Sequence, residues 1–322
     1  MRQILLAGLD DIVRFDKTFI NYREAPGGGI ELRFADGSYA ACDLLVGADG
    51  GNSRVRTQFL PNAQRIDTGV VGIAGKLMLT DDNRRKAPAS LLRGTGLVMA
   101  PGHCTMFIGL QEFSDCTAMP GAIGGNDDAY AAQPGALFDN MTSYLMWAYG
   151  GYRAEIEQER RLEELSVEEL ELLVLHLIEN WHPDFREMVR LSDPSSLSVL
   201  PIRTSLPVNA WKATRVTLIG DAIHSMTPYR GIGANVALRD AALLCTNLAA
   251  AVRGERTIEE AVHDYEEQMR NYGFAAVRSS LAAMQQAVAD KGAGFHLRKL
   301  AFRAINTSPW LKRRFLASMG TD

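Results

Sequence analysis

The stretch LIGDAIHSMTPYRGIGANVALRDA, residues 218–241, constrains this chain more than any other. An apolar strand (RVTLIG) ends in Gly220-Asp221, a proline turn follows, and Gly231 and Gly233 lead into a helix. That order places Asp221 at the carboxyl edge of a sheet, where α/β proteins bind ligands. An ionised carboxylate there accepts hydrogen bonds strongly, which suits a polyhydroxy chain. Glycines let the backbone approach a ligand without a Cβ in the way. Ala234 and Asn235 open the following helix with N–H groups that have no intrahelical partner, and such groups favour an electron-rich oxygen.

A second strand end has a related form. In DLLVGADGGNSRVR, residues 43–56, an apolar run stops at Asp49-Gly50, and Arg54 and Arg56 add positive charge beside a turn able to expose backbone N–H groups. The strand before it is reached by a hairpin in which Ile30, Leu32 and Phe34 alternate with polar residues and the chain turns at Asp36-Gly37. Upstream of the hairpin, Leu5, Leu6, Leu9 and Ile12 have helical spacing without an N-cap, so the chain is read as opening in mid-helix.

Residues 66–147 change character. GVVGIAGKLML, GLVMAPG, CTMFIGLQ and SYLMWAYGG read as short strands of a mostly antiparallel sheet, interrupted by a Gly-rich, acidic loop. Ser166 with Glu169 makes a capping box for a helix running toward Trp181, with Pro183 ending or bending it. LSVLPIRTSL returns as a strand. Beyond the 218–241 stretch, Ala241, Leu244, Leu248 and Val252 form one apolar helical face, and Thr257 with Glu260 caps a long helix ending near Asp290. The tail from Lys291 mixes Arg298, Lys299, Arg303, Lys312, Arg313 and Arg314 with apolar residues, as a solvated or surface-bound amphipathic helix does.

Composition narrows the partners. A net charge of -4 gives no general attraction to nucleic acid or anionic lipid. No apolar run approaches the ~20 residues that cross a bilayer. Cys42, Cys104, Cys116 and Cys245 are scattered without zinc spacing, which points to reduced thiols, the cytoplasm and no metal.

The two strand-end stretches together resemble the Gly-Asp and Asp-Gly motifs of the FAD-dependent aromatic hydroxylases, the class A flavoprotein monooxygenases. The resemblance runs through nearly the whole chain and includes RQILLAGL at the start and HDYEEQMR at residues 263–270. It implies that Asp221 contacts the flavin ribityl chain and that Pro228, Gly231, Gly233, Ala234 and Asn235 lie against the ring. It further implies that Asp49 and Gly50 lie near the FAD pyrophosphate and that Arg2 reaches FAD. Arg203, His224 and Tyr229 are the candidates for catalysis or substrate contact. The implied reaction uses NADPH or NADH and O2 to hydroxylate or epoxidise an aromatic or polyketide-like small molecule.

Relatives of this family open with a strand, a G-x-G-x-x-G turn and a helix that hold the FAD diphosphate, and the present sequence has none of these. The expectation is therefore an α/β fold: a Rossmann-like FAD domain lacking its first βαβ unit, at residues 1–65 and 200–256. An inserted, mostly antiparallel substrate domain takes residues 66–199 and C-terminal helices take 257–322. Without the glycine loop the chain is expected to hold FAD poorly. The alternative is an impaired remnant acting at most as a binding protein. A W-x-W-x-I-P stretch, the mark of the related flavin-dependent halogenases, is missing around Trp147, Trp181, Trp211 and Trp310.

Overall fold

The computed structural model describes residues 2–113, 142–157, 159–289, 300–305, 307–311 and 313–314. The acidic Gly-rich loop, Cys116, Arg298, Lys299, Lys312 and the side chain of Arg2 fall outside the described part. The described residues form two units. One takes residues up to 66 and from 203 to 281, and the other takes residues from 67 to 202 and beyond 281.

The first unit opens with helix α1, Arg2–Leu6, and not with the longer helix that the leucine spacing predicts. Ile4 is 78% exposed and Ile12 73% exposed, so among the described residues little of the apolar side is covered, and so short a helix gains little alone. Strands β1 (Phe19–Glu24), β2 (Ile30–Phe34) and β3 (Tyr39–Cys42) form an antiparallel meander. Its predicted turn is present: Gly37 adopts φ 82° and the Asp36 carboxylate accepts the Ser38 N–H at 2.9 Å. Strand β4 (Leu45–Gly47) leads to helix α2 (Arg54–Phe59), whose Gln58 amide accepts from and donates to the backbone of Tyr22, satisfying β1 at its edge.

The second unit is built on β5 (Arg65–Met78), the short helix α3 (Asp81–Lys86), β6 (Gly96–Met99), β7 (Cys104–Gln111) and β8 (Tyr144–Tyr152). After α4 (Arg153–Ile156), α5 (Val167–Leu177) and α6 (Pro183–Arg190), strand β9 (Asp193–Ser205) completes a five-stranded sheet ordered β6-β7-β8-β5-β9. The capping box of Ser166 and Glu169 starts α5, while Pro183 stands at the first turn of α6 and so begins a helix where a stop was expected. Strand alternation sorts the large apolar side chains of this sheet. Met106 and Trp147 are fully buried in the core beneath α5 and α6, whereas Met99 and Phe107 stay exposed.

The chain then re-enters the first unit through β10 (Val216–Leu218), α7 (Asp221–His224), α8 (Gly233–Val252) and α9 (Ile258–Val288), the last preceded by the predicted Thr257–Glu260 box. Leu218, Ile223, Leu244, Tyr265 and Met269 join Leu45 and Val55 in one core. Val252, assigned by spacing to the apolar face of α8, is 88% exposed. The packed stripe on α8 is set by Asp240 and Leu244, and Val252 is the last residue of the helix. Among the described residues no helix is long and apolar enough to cross a membrane.

Candidate cofactor site

Strands β4 and β10 pair in parallel, with Val216 opposite Leu45 and Leu218 opposite Gly47. The Ile219 N–H extends the ladder to the Gly47 carbonyl at 3.0 Å. Both strands therefore end at the same edge, which brings the Asp49-Gly50 and Gly220-Asp221 turns side by side. Close packing requires glycine here: a Cβ at Gly47 would stand 2.6 Å from Leu218 Cδ2 and 2.9 Å from Val55 Cβ.

Arg56 joins the two turns. Its side chain is buried, donating to the Gly51 carbonyl at 2.8 Å and to the Ala222 carbonyl at 2.9 Å. Sequence reasoning treated it as local surface charge. Asp49 is likewise turned inward on its own segment: its carboxylate accepts from the Ser53 hydroxyl and from the N–H groups of Arg54 at 2.8 Å and Val55 at 3.2 Å. It caps α2, complementing the positive end of that helix.

Between the strand ends and the start of α8 lies a cleft of about 500 Å³. Gly50, Asp221, Pro228, Gly231, Gly233 and Ala234, all singled out from sequence, line it together with Ile219 and Met226. Asp221 is exposed and is the only ionisable side chain on the lining among the described residues. Pro228–Arg230 make a 3₁₀ turn closed by Gly231 at φ 64°, after which α8 begins at Gly233 with no side-chain cap. Its first N–H groups are thus directed to whatever occupies the cleft. A Cβ at Gly231 would meet no protein atom within 4 Å, and one at Gly233 only Met226 Cγ at 3.9 Å, so these glycines leave open space that a side chain would fill.

Asn235 sits in the exposed first turn of α8, and Arg203 and Tyr229 are half-buried; none of the three is among the lining residues. His224 is fully buried, with Nε2 2.6 Å from Asp240 Oδ2, and does not reach the cleft. Asp240 and Tyr272 had no sequence signal beyond a carboxylate on an otherwise apolar helix face.

A profile described as FAD binding domain matches residues 161–280. The crystal structure of a protein from Photorhabdus luminescens subsp. laumondii TTO1, assigned as a FAD containing monooxygenase, superposes with a TM-score of 0.76 at 34% identity. The match covers 89% of this chain and 72% of that one. The chain belongs to the FAD-dependent monooxygenases. The crystal structure of Klebsiella pneumoniae HpxO complexed with FAD and uric acid has a TM-score of 0.67 at 21% identity, covering 99% of this chain and 69% of that one, and shares the fold. The dual O-methyltransferase/FAD-dependent monooxygenase elcB of Phaeosphaeria nodorum is 29% identical over 95% of this chain, and the FAD-dependent monooxygenase phnB of Penicillium herquei 27% identical over all of this chain. The chain spans 33% of elcB and 70% of phnB. For an FAD-dependent monooxygenase the lining fits its cofactor: a carboxylate for sugar-alcohol hydroxyls, bare helix amides for a ring carbonyl, and glycines where a flat ring needs room.

Proposed function

We propose that the chain uses FAD, NADPH or NADH and O2 to hydroxylate or epoxidise an aromatic or polyketide-like small molecule, working in the cytoplasm. For hydroxylation one oxygen atom enters a C–H bond of the substrate, and the other leaves as water with the hydride of the nicotinamide, which carries two electrons and one hydrogen, and a proton from solvent. The observation that carries this reading is the single cleft shared by two strand-end turns and the uncapped start of α8. Bound FAD supplies hydride acceptance and oxygen activation, chemistry that side chains lack. Asp221 accepts from the ribityl hydroxyls, the α8 amides donate to the ring, and Ile219, Met226 and Pro228 keep water from that part of the lining.

Residues up to 66 and from 203 to 281 act as the flavin half and the five-stranded unit as the substrate half. A small organic substrate with an aromatic ring is favoured by the names of relatives, among them FAD-dependent urate hydroxylase and Aurachin C monooxygenase/isomerase. FAD titration followed by substrate-dependent NADPH or NADH oxidation, with the product examined by mass spectrometry for an added oxygen, tests the reading. Flavin binding without any oxygenated product from an aromatic panel would sink it.

A further inference from the structure

We propose that Asp240 is a positioning residue that sets the separation of the two arms of the cleft, the Gly220-Asp221 turn and the start of α8. Its carboxylate is fully buried and takes hydrogen bonds from the Gly220 N–H at 2.7 Å, from His224 Nε2 at 2.6 Å and from the Tyr272 hydroxyl at 2.5 Å. With Asp240 ionised, His224 donates from Nε2, and its buried Nδ1 is left without a partner. The three donors come from the strand-end turn, from α7 and from α9, while the acceptor belongs to α8, about one turn below Ala237 and about two below Gly233 and Ala234, its cleft-lining residues.

The contact with Gly220 is close in another way. Gly220 adopts φ 59° and ψ -140°, and a Cβ on it would stand 3.1 Å from that of Ala237 on α8. Gly273 of α9 presses on the His224 ring, where a Cβ would lie 2.7 Å from the ring carbon Cδ2. Turn and helices therefore meet at one charged acceptor, and the three donors converging on its two oxygens fix where turn and helices stand relative to one another. The inference rests on the flavin reading for its purpose and on this geometry for its substance.

Asp240→Asn keeps the size but removes the charge and one acceptor oxygen, so the Tyr272 hydroxyl must turn from donor to acceptor and the bonds from Gly220 and His224 lose their charge assistance. In the full chain without flavin, hydrogen exchange should accelerate roughly tenfold or more at residues 219–224 and 233–237 and stay unchanged in the five-stranded sheet. FAD affinity, followed by flavin fluorescence, should fall roughly tenfold and the absorption bands of the bound flavin should shift. Tyr272→Phe removes one donor only and should give the same pattern at smaller size, which keeps the test sound if Asp240→Asn does not fold. Uniform acceleration along the chain, or unchanged affinity and spectrum beside a lower melting temperature, assigns Asp240 to packing and overturns the proposal. Wild-type chain that binds no FAD defeats the functional reading alone. Unaltered exchange at 219–224 in both variants defeats the positioning role alone.

Discussion

The guanidinium of Arg56 donates to the carbonyl oxygen of Ala222, 166 residues further along the chain, at 2.9 Å. It also holds Gly51 at 2.8 Å, so one buried side chain spans both strand-end turns of the cleft. Arg56→Ala strands two carbonyl groups and should cost about 2–4 kcal/mol in urea unfolding. Arg56→Lys keeps the charge without the fork and should recover little. Full rescue by lysine would show that charge alone matters.

Asp221→Ala should raise the FAD dissociation constant by about 10- to 100-fold, because a charged acceptor contributes on the order of 1.5–3 kcal/mol. Asp221 is exposed at the start of the four-residue α7, so the melting temperature should barely move. Lost stability with unchanged affinity would reduce Asp221 to a helix residue.

Gly233→Val puts a branched side chain where the nearest atom beyond the helix's own adjoining backbone, Met226 Cγ, is 3.9 Å from the new Cβ. The fold should accommodate it within about 1 kcal/mol, while FAD binding, measured by fluorescence titration, should weaken ~30-fold or more as the cleft fills. Undiminished binding would move the ring away from this part of the lining.

Glu266 gives the first unit a pH dependence. Burial lifts its carboxyl to about 7, while the hydrogen bond from the Thr217 hydroxyl and the charges of Arg270 and His263 oppose the rise. The unfolded chain releases this proton near 4.5, so the group's contribution is complete below that pH and is lost as pH climbs through about 7. At pH 8 the loss amounts to about 3 kcal/mol. Glu266→Gln keeps an acceptor for the Thr217 hydroxyl and should flatten the difference between urea midpoints at pH 5 and pH 8. Parallel pH profiles for the two proteins would contradict this.

Local chemistry was legible from the amino acids alone. The turn at Asp36-Gly37, the boxes at Ser166 and Thr257, and the strand–turn–helix order around Asp221 depend on residues within a few positions of one another. Even the shared cleft was readable as two related strand ends in a family that uses both. Tertiary structure decided which polar side chains turn inward. Helical spacing marks a face but does not say that Asp240 belongs to the packed stripe while Val252 is left in solvent. Nor does a run of arginines reveal that Arg56 is buried while Arg54 stays exposed, tied to the Phe19 carbonyl. A buried charge is stable only where distant segments supply its partners, and those partners meet only once β4 and β10 lie side by side.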